Sequence, residues 1–361
     1  MHIFKNHQSF VMRNKYLLPA LMTLILLSCK KDTKEIAEIQ PSVATDDYTL
    51  CYGTNTWENS VSYVGDFPQF HVTYNGKIYY FHNDIYNPND PFHDKITIFD
   101  GTSWQVLTSA IPFEPLSIGF AFVIGDYGYF GYTQFIGYHS SHGTSWRYDF
   151  TNNTWTSIED FPGYYTMDPA FFQIGNKGYV VGGYKDQSYT RETWEFDPAA
   201  SPKWRKRADH PGTGRENAKG FSIGKKGYIV NGQTITTNPL QRTYYKTLLE
   251  FDPLTNTWTT KASFPGTARE FTKSFVIAGK AYVGGGRDHD NYFSDFYKYD
   301  PADNDWVRVA DFATTGELWD AFTLDSKGYA VWRPASPQPM RLKKYDPVIC
   351  TTISTGGVVI P

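Results

Sequence analysis

Two Arg-Glu pairs, Arg215-Glu216 and Arg269-Glu270, stand at matching places in segments that resemble each other, and Glu317 holds the same place in a third. Each glutamate lies twelve residues before a tyrosine: Tyr228, Tyr282 and Tyr329. A guanidinium grips a carboxylate or vicinal hydroxyls in a fixed fork. A glutamate accepts hydroxyls or moves a proton as a general acid or base. These five residues are the candidate ligand-binding set. Three glutamates set against two arginines leave charge uncompensated, so at least one carboxyl pKa should rise. The alternative, Arg–Glu pairing that only neutralises a crowded surface, stays open at this point.

Other chemistry is scarce. The chain has no His-Glu-x-x-His, no Gly-x-Ser-x-Gly and no phosphate loop. Asp288-His289-Asp290 are adjacent in one loop and converge poorly on a metal, so no metal or other cofactor is expected. The net charge of −3, without a Lys/Arg cluster in the repeating part, argues against a nucleic-acid partner.

The elements that must position these residues recur. Lys273 to Ile277 reads as a buried strand, Ala278-Gly279-Lys280 as a turn, and Ala281 to Gly285 as a second strand. Phe296 to Tyr299 and Trp306 to Val309 supply two more, joined through the turn residues of Asp300 to Asn304. Tyrosines open the second strand at 79, 129, 179, 228, 282 and 329. An aromatic-Asp pair ends the third at Phe99-Asp100, Phe196-Asp197, Phe251-Asp252, Tyr299-Asp300 and Tyr345-Asp346, with Tyr148-Asp149 as a looser copy. Tryptophans at 57, 104, 155, 204, 258 and 306 are spaced 47 to 54 residues apart. A four-stranded unit cannot bury both its faces alone and must stack on neighbours.

With Gly284-Gly285, Tyr299-Asp300-Pro301 and Trp306, and with Gly182-Gly183, Phe196-Asp197-Pro198 and Trp204 as the next copy, the chain resembles the kelch-repeat family. The resemblance covers residues 50 to 350. It implies an all-β fold: a six-bladed kelch-like β-propeller with four antiparallel strands per blade. Leu50 to Trp57 aligns with the end of a blade and the sixth blade has no tryptophan of its own, so the ring is closed by the N-terminal strand, beside Tyr345. The resemblance also places the Arg-Glu links at one mouth of the central channel. The loops there carry aromatics such as Tyr189, Tyr245, Tyr292 and Trp332, which suit sugar binding. Copper radical oxidases in the family need a cysteine cross-linked to tyrosine, and the cysteines here have other roles.

There are three cysteines. Residues 1–28 read as a lipoprotein signal peptide, with a basic start at Met12 to Lys15 and an apolar run from Tyr16 to Leu27. Met12 fits as the start better than Met1. Leu26-Leu27-Ser28-Cys29 resembles a bacterial lipobox, which implies lipidation of Cys29. Lys30 at the next position implies the outer membrane. Residues 29–47 read as a flexible tether, 48–350 as the propeller and 351–361 as a loose tail. Cys51 and Cys350 both fall in the shared sixth blade, one from each end of the domain, so a disulfide across the closure is expected. Two buried free thiols are the alternative.

The expected function is a cell-envelope lipoprotein, held to the membrane by a lipid anchor. It would bind a glycan or an envelope protein at one face of the propeller, without catalysis. A second reading, implied by resemblance to periplasmic kelch sialic-acid mutarotases (N-acetylneuraminate epimerases), is an enzyme that exchanges sugar anomers. A third is a structural scaffold.

Overall fold

The structure, a computed structural model, describes residues 47–64, 70–82, 95–109, 111–112, 117–136, 139–163, 168–185, 187–237, 239–312, 316–334 and 340–354. Tyr48–Ile353 form one compact unit, and Met1–Asp47 with Ser354–Pro361 a second. The signal peptide, Cys29 and nearly all of the tether and tail lie outside the described residues.

Six four-stranded antiparallel sheets make the propeller. Blade one is Phe70–Tyr74, Lys77–His82, Lys95–Phe99 and Trp104–Thr108. Blade two is Ser117–Ile124, Tyr127–Ile136, His139–Asp149 and Thr154–Ser157. Blade three is Ala170–Ile174, Lys177–Val181, Thr193–Phe196 and Trp204–Arg207. Blade four is Lys219–Ile223, Lys226–Val230, Leu248–Asp252 and Thr257–Lys261. Blade five is Lys273–Ile277, Lys280–Gly284, Phe296–Asp300 and Asp305–Arg308. Blade six is Glu317–Leu324, Lys327–Arg333 and Arg341–Asp346, completed by Thr56–Asn59 from the other end of the chain, with Trp57 opposite Tyr345.

The repeated aromatics explain the stacking. In blades three to six the blade-opening tyrosine lies flat on the inner-strand phenylalanine directly across from it, as Tyr282 does on Phe275 with centroids 5.0 Å apart. The same tyrosine meets the third-strand aromatic of the next blade. Tyr129 reaches Phe196 at 5.0 Å, Tyr179 Phe251 at 5.5 Å, Tyr228 Tyr299 at 6.0 Å and Tyr282 Tyr345 at 5.5 Å. Tyr329 reaches Phe99 at 5.6 Å, and Phe81 meets Tyr148 at 5.6 Å, which closes the circle. Such pairs add about 0.5–1.5 kcal/mol each beyond the burial itself. The glycine before the tyrosine makes room for them. A Cβ on Gly227 would stand 1.9 Å from the Phe172 ring of the preceding blade.

The aspartate of the aromatic-Asp pair has its own task. Asp197, Asp252, Asp300 and Asp346 each face the lysine that opens the second strand of the same blade: Lys177, Lys226, Lys280 and Lys327. Asp252 and Asp300 also cap the turn that follows, accepting from Leu254 N at 2.9 Å and Ala302 N at 3.1 Å. The tryptophans tie blades together at the rim: Trp258 Nε1 donates to Ala208 O at 3.0 Å and Trp306 Nε1 to Ala262 O at 2.8 Å.

Beyond blade six, Asp47–Tyr52 pairs with Ile349–Ser354 as a two-stranded sheet, and the Cys51–Cys350 disulfide joins the two strands. The second strand runs past Cys350 to Ser354. It thus corrects the sequence reading of a loose tail from residue 351, because the partner strand satisfies backbone groups that a tail would leave to water.

Candidate functional site

The inner strands of all six blades enclose a cavity of about 1040 Å³. Phe70, Phe171, Phe221, Phe271 and Trp319 supply apolar wall. Its charged or titratable lining includes His71, Lys219, Lys273 and Asp320 on the inner strands, together with Asp168, Arg287, Tyr292 and Glu317. Lys219, Lys273 and Asp320 occupy one repeat position, nine residues before the blade-opening tyrosine, on the adjacent blades four, five and six. A bulge between Leu318 and Asp320 sets the last of these in register. His71 comes from blade one. Its Nδ1 lies 2.5 Å from Asp320 Oδ2, across the seam between the first and last blades.

The electrostatics follow from enclosure. Burial pushes the Lys273 ammonium down to about 8, Asp320 opposes that shift, and Lys219 adds to it. Burial also lowers Lys219, against the pull of Asp320. Burial alone would raise the Asp320 carboxyl. The charges of His71, Lys219 and Lys273 more than offset it and hold the group below its ordinary value. A carboxylate on Nδ1 keeps that nitrogen protonated, which leaves Nε2 of His71 as the basic nitrogen.

The Arg-Glu pairs split. Glu216 faces Gln233 across the main chain, Glu270 faces Arg287 and Glu317 faces Arg333. Glu317 and Arg287 line the cavity, and Arg333 Nη2 donates to Glu317 at 2.9 Å. The buried Glu270 carboxylate accepts from Asn217 Nδ2 at 2.9 Å and has Arg287 Nε at 3.4 Å. Burial nevertheless raises its pKa. Glu216 is pushed up to about 7, first by burial and then by Asp168.

Arg215 and Arg269 do not join them. Both are buried, 4% and 0% exposed, with their guanidiniums turned into the blades. Arg215 donates to Thr247 Oγ1 at 2.7 Å and Asn231 O at 3.3 Å, and stacks on Tyr245 at 4.4 Å. Burial takes it down to about 10. Arg269 donates to Thr267 O, Gly285 O and both carboxylate oxygens of Asp295. Both guanidiniums are engaged by the chain's own carbonyls, hydroxyl and carboxylate, and in this arrangement they fasten loops beside the glutamates.

The fastened loops lace the blades together. Gly183 N donates to Arg215 O at 2.7 Å and Gly232 N to Arg269 O at 2.9 Å. In the opposite sense, Asn217 N donates to Asp168 O at 3.0 Å and Phe271 N to Asn217 O at 3.2 Å. Asp168, Asn217 and Phe271 all adopt positive φ, at 48°, 56° and 55°. A bulky residue such as Phe271 does so only where its surroundings hold it, and here Arg287 covers its ring at 4.9 Å.

Glu216 gives a pH test. Its folded pKa lies above the unfolded value of 4.5, so its contribution to stability is full below that value and is lost as pH rises through about 7. Glu216→Gln should gain stability relative to the parent across that window and match it at pH 4. Urea titrations at a series of pH values measure this, and parallel curves would remove Glu216 as the titrating group.

A family model for the kelch motif matches residues 268–313, which lie largely in blade five. N-acetylneuraminate epimerases match locally. The Shigella flexneri protein is 39% identical over 64 residues, 16% of this chain and 17% of that one. The protein of Yersinia enterocolitica serotype O:8 is 34% identical over 82 residues, 21% of each chain. The match thus spans about a fifth of the length of these curated relatives. The solved structure of YjhT superposes with a TM-score of 0.63 at 14% identity, over 80% of this chain and 99% of that one, a likeness of fold. With the motif matched in blade five and its aromatic, aspartate and tryptophan positions carried around the ring, the chain is a six-bladed propeller whose repeats are similar to the kelch motif.

Proposed function

We propose that the central channel binds a small sugar acid and exchanges its anomers. The observation that carries this reading is the pair of lysines beside the His71–Asp320 dyad inside a closed ring of aromatic wall. The cavity is of the size that takes small ligands, which run to about 1,000 Å³. Ammonium groups on blades four and five suit a carboxylate. His71 Nε2 takes the proton of the anomeric hydroxyl, an ammonium supplies one to the ring oxygen, and the ring opens. Reclosure on the other face reverses both transfers. The local similarity to N-acetylneuraminate epimerases supports this choice of substrate class and reaction over binding alone. With it we propose an envelope location and a lipid anchor at Cys29, resting on the lipobox-like residues before it.

The test is N-acetylneuraminate binding by calorimetry together with anomer exchange by NMR. Lys219→Met and Lys273→Met should each weaken binding about 10- to 100-fold, since a hydrogen bond to a charged group contributes about 1.5–3 kcal/mol. His71→Asn should keep binding and slow exchange by about 10²–10⁴, the range for a general base. Binding without exchange in the parent protein leaves a receptor. No binding of any sugar acid ends the reading.

A further inference from the structure

The channel places Lys273 in the middle of a row. Lys219 flanks it on blade four and Asp320, tied to His71, on blade six. Among the described residues neither Lys219 nor Lys273 has an ion-pair partner within 4.0 Å, because the one carboxylate at this level is engaged by His71. A lysine with no carboxylate in direct contact, beside a second cation and against apolar wall, is the setting in which an amine becomes a nucleophile at neutral pH.

We propose that Lys273 forms a reversible imine with the keto group of 2-oxo acids, including open-chain sugar acids, while Lys219 holds their carboxylate. This shares the channel with the preceding proposal but does not depend on anomer exchange. The neutral amine attacks the keto carbon, and its nitrogen forms a bond as the carbonyl electron pair moves to oxygen. Proton transfer gives a carbinolamine. His71 Nε2, held by Asp320, then takes the remaining nitrogen proton and passes it to the departing hydroxyl, and water leaves as the C=N bond forms. Amine and ketone give imine and water, with no oxidant or reductant consumed. The depressed Lys273 pKa of about 8 supplies a useful fraction of free amine at neutral pH. The groups facing it by charge are Asp320, Lys219 and Glu317.

Pyruvate with sodium borohydride is the probe, since reduction fixes an imine as a stable secondary amine. Peptide mapping of the intact chain should find one principal adduct, on Lys273, that requires both reagents. Lys219→Met should lower its yield at least several-fold, because it removes both the carboxylate anchor and the neighbouring charge. Lys273→Arg, shown to be folded by an unchanged melting temperature, should lose it. An adduct on Lys219 instead, adducts spread over surface lysines, or none at all would overturn the proposal. Adduct without anomer exchange would sink only the sugar reading, and exchange without adduct only this one.

Discussion

Arg269→Ala is expected to cost about 3–5 kcal/mol of folding stability, the range for breaking a buried pair by removing one partner. The guanidinium is fully buried. Its Nη1 and Nη2 reach Asp295 Oδ1 and Oδ2 at 2.5 and 3.0 Å, and Nε reaches Thr267 O at 2.8 Å. It also sits 3.8 Å from the centroid of Phe293. Alanine leaves the Asp295 carboxylate facing protein without its partner and strands two backbone carbonyls. Lysine is expected to restore little, since a single ammonium cannot reproduce a bidentate fork. Arg215→Ala should cost less, because that guanidinium bonds a hydroxyl and carbonyls and leaves no charge behind. Denaturant titration measures all three. A loss within 1 kcal/mol for Arg269→Ala, with ligand binding abolished, would return this arginine to the binding site.

The second large effect is expected from the Cys51–Cys350 bond. Its ends are 299 residues apart in sequence. The chain-entropy model gives about 5–6 kcal/mol for closing such a loop, an upper figure because residual structure in the unfolded chain reduces it. The bond sits beside the blade that both ends of the domain share, so its loss falls on the seam where Thr56–Asn59 pairs with Arg341–Asp346 to close the ring. Reduction, or Cys51→Ser with Cys350→Ser, should lower the melting temperature markedly, while the unreduced soluble domain from residue 48 onward, which lacks Cys29, shows no thiol to a blocking reagent when unfolded. Alkylation of both cysteines without reductant would contradict it.

The fold was legible because the motif residues repeat their physical tasks around the ring: tyrosine stacks on phenylalanine in blades three to six, an aromatic meets the next blade, and Trp57, Trp258 and Trp306 each donate to a carbonyl of the preceding blade's edge. Blade two, with its looser Tyr148-Asp149, still supplies Tyr148 as a fully buried contact. The site was half legible. Counting twelve back from the tyrosines found the glutamates, but an Arg-Glu dipeptide states charge and not direction, and here the main chain turns the two side chains apart. Counting nine back would have found Lys219, Lys273 and Asp320. Lys219 and Lys273 each open a strand, where a charged residue ordinarily meets solvent, and Asp320 lies inside its strand, placed by a bulge that the sequence does not announce. His71 carried no signal of that kind. It stands eight before Tyr79, and its partner is 249 residues away across the ring closure.

The main-chain lacing between blades three, four and five bears on how fast a ligand arrives. Each joint there holds two hydrogen bonds of opposite sense, so neighbouring blades cannot slide apart without breaking both. That part of the rim is preformed, and entry along it waits on no opening step. The observed association rate should then climb linearly with ligand concentration and show no plateau. With two ammonium groups deep in the passage, it should also fall as salt is added for anionic ligands and stay nearly flat for neutral ones.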